Sequence, residues 1–342
     1  MTGFAPFLAH RRFWLGAVAL AGIGATVLAW HTVWQAEEQR IISAFRRRAE
    51  NQASLVRERV RLYEEMVHSL QSLFASSDRV TRVKFERACT DLRQRHPGVQ
   101  ALQWVELVPH EQRAEFEAKA RKDYPDFIIT ERHEDGSMRP ASERPYYTSI
   151  RLVTPLAGNE RALGYDNSPS PVGAMLSLAR RERRLTVSHA FRLVQAVDDE
   201  EERGVVFALP VFTPEPPHGS GELRGFVQGV FRVETMLSQP HRARPDEALL
   251  VHYTDLDGAP DEPPLYVNHA GQDIRPNDAH HVLTKSNDLP SYTEVLHPGG
   301  RRWELFVQMN PEWRKRQRTF TPPLVFLGGV ITTMIGVAAL NV

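Results

Sequence analysis

FWLGAVALAGIGATVLAW (Phe13–Trp30) runs directly into HTVWQAEEQRIISAFRRRAENQASLVRERVRLYEEMVHSLQSLF (His31–Phe74), and the reading of this join decides the fold. The first segment is apolar over roughly 18 residues, close to the length a helix needs to cross a bilayer. The second is charged, yet its periodicity stays helical. Ile42, Phe45, Ala49, Ala53, Val56, Val60, Tyr63, Val67, Leu70 and Phe74 fall at alternating steps of mostly three and four, with Arg, Glu and Gln between them. That is an apolar seam, the pattern of a helix that packs along its length. No Gly or Pro interrupts it between Gly24 and Pro97. The spacing predicts one helix that leaves the membrane as a stalk, with Ile42 to Phe74 reaching about 50 Å. The seam serves either packing on the chain's own domain or pairing with a second copy, and the two can coexist on different faces.

The chain has 342 residues, with 42 Lys and Arg balancing 42 Asp and Glu. A net charge of zero and a pI of 7.3 give no bulk attraction to a polyanion, and no nucleic-acid partner is expected. The one Cys, Cys89, permits no intramolecular disulfide and no paired-cysteine zinc site. It reads as a small buried apolar residue.

A second apolar run, Leu324 to Leu340, follows Pro322 and Pro323, which suit the first turn of a helix. Two spans place both termini on one side and the large middle region on the other. Arg11 and Arg12 before the first span favour a cytoplasmic N-terminus. Arg314, Lys315, Arg316 and Arg318 before the second span argue weakly the other way. A cleaved signal peptide, a twin-arginine signal and a buried core helix compete for the first span. Its length, its poor cleavage site and the stalk that follows speak against them.

From Val83 to Arg95 a second, shorter helix is expected, then a strand over Leu102 to Val108 and a helix over His110 to Arg121. Phe127 to Thr130 and Tyr146 to Val153 read as strands. Ser170 and Pro171 make an N-cap and first-turn pair for a helix to about Arg184. Strands follow at Leu185 to Val194, Gly204 to Phe212 and Gly225 to Val233, with a Pro- and Gly-rich link from Thr213 to Leu223, then a short helix from Glu234 to Gln239. A smaller unit holds strands at Ala248 to Tyr253, Leu265 to Val267, Ser291 to Leu296 and Arg302 to Met309. Pro298-Gly299-Gly300 signals a hairpin. Asn310-Pro311 opens a final helix that leads into the second span. This order predicts an α+β fold with antiparallel sheets.

The pieces Val105 to Arg113, Tyr146-Tyr147, Leu163 to Asp166, Thr186 to Val194, Phe207 to Phe212 and Gly225 to Phe231 stand in the order of a known family. Residues Gly98 to Val233 resemble the CHASE domain, the extracellular sensory module of bacterial transmembrane receptors and plant cytokinin receptors. The tail Arg302 to Leu305 resembles its membrane-proximal unit. The resemblance implies a long stalk helix with two PAS-like subdomains between two transmembrane helices. Its domain plan is a cytoplasmic N-terminus at 1–12, spans at 13–34 and 320–342, a stalk region at 35–95, a membrane-distal sensor at 96–239 and a membrane-proximal subdomain at 240–312.

The resemblance further implies a homodimer, joined through the stalk helix in the cell inner membrane. It would bind a small-molecule ligand in the periplasm and signal to a cytoplasmic kinase or cyclase. Family pocket positions carry over to Tyr147, Val172, Met175, Ser188, Phe191, Leu193, Val194 and Phe207. Ser188 stands where the family often has Thr, and Phe212 where it often has Tyr. Val172 or Gly173 stands where cytokinin receptors place a carboxylate, which argues against an adenine held by an acid.

Phe191 and Phe207 also fit ordinary core positions, and Asp166 a loop or cap. The acid run Asp198 to Glu202 reads as a solvated loop. Arg180, Arg181, Arg183 and Arg184 suit the dipole at a helix C-terminus. His280-His281 are adjacent, a poor spacing for a metal, and no cofactor or metal is expected. No metalloprotease, nucleophile-elbow, Walker or dinucleotide motif occurs. A membrane-tethered periplasmic enzyme and a structural dimerisation partner are the alternative functions. The output domain is expected downstream in a longer chain or in a separate protein.

Overall fold

The protein is described by a computed structural model that covers residues 5–77, 79–193, 203–213, 221–275 and 288–340, with backbone only for 5–12. Val194, Asp198 to Glu202, His280-His281 and the central part of the link after Thr213 lie outside the described residues.

Helix α1 spans Ala5–Ala75 as one element of 71 residues. The apolar segment and the stalk are continuous, and after Gly24 no Gly or Pro stands in the helix to break it. The seam is buried within the single chain: Phe45, Ala49, Ala53, Val56, Tyr63, Val67, Leu70 and Phe74 are each at most 2% exposed. Ile41, not Ile42, begins it, because Ile41 is buried at 2% and Ile42 only partly. The seam therefore joins the core of the chain's own domain.

Helix α2 (Arg82–Arg95) returns beside the stalk, its first turn capped by the Thr81 hydroxyl, which accepts from Lys84 N–H at 3.3 Å. Cys89 is buried in it. The first sheet then forms from β1 (Val99–Pro109), β4 (Tyr146–Thr154), β5 (Thr186–Val187), β6 (Phe191–Arg192), β7 (Arg203–Phe212) and β8 (Leu223–Arg232). Its order is β4-β1-β8-β7-β5, with β6 also paired to β7, and every named pair is antiparallel. Between β1 and β4 lie α3 (Arg113–Ala120) and a small hairpin, β2 (Thr130–Arg132) and β3 (Met138–Pro140). The strand expected at Phe127 to Thr130 thus sits later, at the arm of the turn that Asp135-Gly136 makes. Helix α4 (Pro171–Glu182) covers the sheet face turned away from the stalk.

Helix α5 (Val233–Ala243) leads to a second sheet of β9 (Leu249–Asp255), β10 (Tyr266–His269), β11 (Gln272–Ile274), β12 (Ser291–Leu296) and β13 (Trp303–Met309), ordered β11-β10-β9-β13-β12. Pro298–Gly300 forms a 3-10 turn rather than a two-residue hairpin loop, and Gly299 in it takes φ 51°. Both sheets share one core with the stalk, where Phe207 meets Trp303 at a ring separation of 6.4 Å.

Helix α6 (Pro311–Gln317) stops short of α7 (Thr321–Ala339), so the final helix does not run unbroken into the second apolar segment. Arg318 turns to ψ 136°, and Thr319 N–H donates to the Glu37 carboxylate of α1 at 2.8 Å. Pro322 and Pro323, which lack N–H donors, suit the opening turn of α7. Two helices, α7 and the first part of α1, are long and apolar enough to cross a membrane. They lie side by side, with Trp30 edge-on to Phe326 at 6.2 Å.

Candidate functional site

The sheet face opposite the stalk carries a cavity of about 380 Å³. Its floor is Gln103 of β1, Ile150 of β4, Val206 of β7, and Gln228 and Val230 of β8. Strand alternation puts these residues on one face, and the register sets Gln103 opposite Gln228 and Val206 opposite Val230.

The roof is the first turn of α4, where Pro171 and Val172 reach the cavity. That turn is pressed onto the preceding loop: a Cβ on Gly173 would stand 2.4 Å from the Asn167 carbonyl oxygen. The loop is anchored by Asp166, which is fully buried. Its carboxylate accepts from Thr148 N–H at 2.8 Å, Ser168 N–H at 3.0 Å and Arg144 Nη1 at 2.9 Å. Asp166 is thus a structural hub and not a cavity group. Arg144 also pairs with Glu131. Burial would raise the Glu131 pKa, but hydrogen bonds from Ser142 and Arg144 outweigh it and hold that carboxyl below its usual range.

The side walls come from distant segments. Arg132 and Met138 of the hairpin, and Arg161, Ala162 and Tyr165 of the loop after β4, form one wall. His189, Phe191, Arg192 and Leu193 form the other. The predicted strand Leu185 to Val194 breaks between them because Ser188 substitutes its side chain for the ladder. Its hydroxyl accepts from Val206 N–H at 2.9 Å and donates to the His189 carbonyl at 2.7 Å. Burial raises the Tyr165 phenol above its ordinary pKa, so it is neutral at physiological pH.

Two features of this lining bear on ligand chemistry. Gln228 is 1% exposed, and its Nε2 has no hydrogen-bond partner. An unpaired buried amide donor costs about 1–3 kcal/mol. Second, the lining holds Arg132, Arg161 and Arg192 but no carboxylate among the described residues.

Of the residues implied by the family resemblance, Val172, Phe191 and Leu193 line this cavity. Met175 and Ser188 are buried beside it without forming its wall. Tyr147 and Phe207 lie on the stalk side of the sheet. The Tyr147 hydroxyl meets His110 Nδ1 at 3.0 Å and Arg113 Nη1 at 3.2 Å. Phe207 stands edge-on to Phe231 at 5.1 Å. Strand alternation alone puts Val206 and Phe207 on opposite faces. Val194 is outside the described residues. Sequence reasoning missed Gln103, Gln228 and the three arginines. A Gln inside an apolar strand was the available signal for the first two.

A larger cavity, about 650 Å³, opens on the stalk side near Phe74, Trp104, Glu106, Arg151 and Arg224. Its lining is predominantly charged, whereas the first cavity mixes apolar residues with polar groups that converge from several elements, as small-molecule sites do. No cluster of three or more His, Cys, Asp or Glu placed to hold a metal occurs among the described residues. Burial pushes the Cys89 thiol up to about 12, which leaves it unreactive.

The family model for the CHASE domain matches residues 78–266. No curated protein matches the chain. Among solved structures, the ligand-binding domain of the Pseudomonas aeruginosa PAO1 amino acid chemoreceptor PctC, in complex with GABA, is similar at 16% identity. That match covers 78% of this chain and 99% of the other, with a TM-score of 0.42. The periplasmic sensory domain of a Campylobacter jejuni chemoreceptor is similar at 9% identity, over 82% and 97% of the two chains, with a TM-score of 0.45. An extracellular ligand-binding receptor from Desulfohalobium retbaense is similar at 11% identity and a TM-score of 0.45. There 77% of this chain spans 39% of that receptor's length.

Proposed function

The chain belongs to the CHASE domain family, and on that premise we propose that it is the membrane-anchored sensory input module of a receptor, with its small-molecule ligand held between α4 and the β4-β1-β8-β7 sheet. The observation that carries the choice of cavity is the buried, unpartnered Nε2 of Gln228, which shares the cavity floor with Gln103 and three apolar residues, Ile150, Val206 and Val230. A ligand with an oxygen acceptor would pair this donor, and the apolar walls would hold the rest of it. Arg132, Arg161 and Arg192 favour a ligand that carries negative charge.

The domain stands outside the cytoplasm, in the periplasm of a bacterial cell, with α7 and the start of α1 as its two spans. Binding shifts the position of α4 and the β1–β8 face. The stalk, packed on the back of the same sheet, carries that shift to the spans and on to a cytoplasmic kinase or cyclase. A second copy pairs along the stalk surface left free by the intramolecular seam.

The test is a thermal-shift screen of the full chain in nanodiscs against small organic acids, amides and amines. At a hundred times Kd a ligand adds about 2.7 kcal/mol, a rise of several degrees in Tm. At least one acid is expected to do this, and Val172→Trp, which fills the roof, is expected to abolish the shift. A ligand that shifts Val172→Trp equally would place the site elsewhere.

A further inference from the structure

The larger cavity lies against the distal end of the stalk and shares no residue with the α4 cavity. Among the described residues its walls carry Arg79, Lys119, Lys122, Arg151 and Arg224 with the carboxylates of Glu106 and Asp123. Two of these cations are placed by the fold rather than left on flexible stems. The pairing of β1 with β4 slips between Trp104 and Val105, so that Trp104 opposes Leu152 while Val105 opposes Ile150. Arg151 is the extra residue of this bulge, a feature that re-aims a side chain. Its guanidinium reaches Asp123 Oδ2 at 2.5 Å, and its Nη1 is buried without a hydrogen-bond partner. Arg224 holds the last turn of the stalk, donating to the carbonyls of Phe74 at 2.7 Å and Ser77 at 3.0 Å. Phe74 in turn stacks on Trp104 at 4.0 Å and 11°.

Glu106 completes the wall. It accepts a 2.9 Å hydrogen bond from Trp104 Nε1, and its withdrawal from water raises its pKa against the pull of that bond and the nearby cations. Removal of the Glu106 charge would leave the cavity still more cationic. A multivalent anion is the partner that such a set of guanidinium and ammonium groups recognises.

We propose that this cavity is a second ligand site, for a small oxyanion with two or more charges, seated on Arg151 and Arg224 at the tip of the stalk. Polycarboxylates and phosphate groups share that chemistry. Occupancy draws on the same Arg224 that caps the stalk, so this site acts on the stalk from its far end, independently of the α4 cavity.

The experiment is calorimetric titration of the full chain in nanodiscs with citrate and with inorganic phosphate, at constant ionic strength, with acetate as the monovalent control. Saturable binding of citrate, of phosphate or of both is expected, and the pattern tells polycarboxylate from phosphate. Arg151→Gln should weaken it at least about tenfold. Because Arg151 also holds Asp123, the exposed pair Arg79→Gln with Lys122→Gln is measured alongside and should weaken it severalfold with Tm unchanged. Glu106→Gln should tighten it, and Val172→Trp in the other cavity should leave it unaltered. Absence of saturation by both anions, binding by acetate as tight as by citrate, or unchanged binding in the Arg79→Gln/Lys122→Gln variant would overturn the proposal.

Discussion

Gln103 and Gln228 stand opposite each other across the β1–β8 pair, at 3% and 1% exposure, on a sheet face otherwise built from Ala101, Val105, Ile150, Val153, Val206, Ala208, Phe226 and Val230. A sheet needs no amides there for packing. Apolar side chains of similar volume would cover the face without the desolvation that a buried primary amide suffers. The stalk side of the same strands carries Leu102, Val205, Phe207, Val227 and Phe231, which close a packed core. Along the stalk seam this face is filled by the protein and opens only at the stalk tip, whereas the other face keeps a space floored by the two amides.

The second sheet carries a pH-sensitive element. His241 is 4% exposed, and its Nε2 lies 2.9 Å from the Tyr253 hydroxyl and 3.3 Å from Gln52 Nε2 of the stalk. Burial lowers its pKa to about 4, against a small opposing pull from Asp273. The unfolded chain takes up this proton near pH 6.5 and the folded chain does not, so the stability His241 contributes is present above pH 6.5 and is lost as pH falls towards 4. The full loss is about 3 kcal/mol. Denaturation of the parent and of His241→Gln at pH 7.5, 6, 5 and 4 measures it, and the variant should show the shallower decline over this window.

Tyr63 of the stalk donates its hydroxyl to the Pro97 carbonyl, and Gly98 follows at φ +100°. A Cβ at Gly98 would stand 3.0 Å from the Tyr63 oxygen. Gly98→Ala should cost about 1–3 kcal/mol through backbone strain and crowding. Tyr63→Phe should cost about 1 kcal/mol, the net worth of one hydrogen bond. Urea denaturation of the two variants gives the comparison, and an alanine at 98 that costs nothing would contradict the tight turn onto β1.

The two apolar helices meet through reciprocal pairs of Gly and Thr. A Cβ on Gly22 would lie 2.5 Å from Thr333 Oγ1, and one on Gly329 would lie 2.5 Å from Thr26 Oγ1. Each hydroxyl is turned back onto its own helix, Thr26 to the Gly22 carbonyl at 2.7 Å and Thr333 to the Gly329 carbonyl at 2.8 Å. Small residues at such contacts allow close approach of helices in lipid. Gly329→Leu should separate the pair. A Trp30→Cys, Phe326→Cys chain should cross-link efficiently in membranes, and addition of Gly329→Leu should reduce the yield severalfold.

The orientation follows a separate route. Alkaline phosphatase inserted in the exposed Glu134–Gly136 turn should be active in a bacterial host, because the enzyme matures outside the cytoplasm. An inactive fusion of normal abundance would reverse the topology.

Elements set by local patterning were legible in the sequence. The stalk, α2, α4 and the hairpin strands of the second sheet follow from periodicity and breakers, with shifts of one to three residues at most ends. The side of each central strand was not legible. After Arg203, β7 reads GVVFALPVF, apolar at every step, so hydropathy does not tell which of Val206 and Phe207 faces the stalk. The resemblance to a family implies Phe207 and Tyr147 at the ligand, and the register turns both to the stalk side, away from the α4 cavity. The break at Ser188 was hidden because a hydroxyl replacing a ladder bond leaves no mark on hydropathy. Arg132, Arg161 and Arg192 converge from a hairpin, a loop and a short strand, a juxtaposition that only the tertiary fold creates.

The most direct measurement on the central claim is the stability and ligand response of Gln228→Leu in the full chain. If Gln228 Nε2 serves a ligand and nothing in the protein, the leucine relieves an unpaired buried donor. The ligand-free variant should then gain about 1–2 kcal/mol, while the Tm shift produced by a ligand found in the screen disappears. A variant that loses stability and still responds to the ligand would contradict the assignment of this cavity as the sensory site.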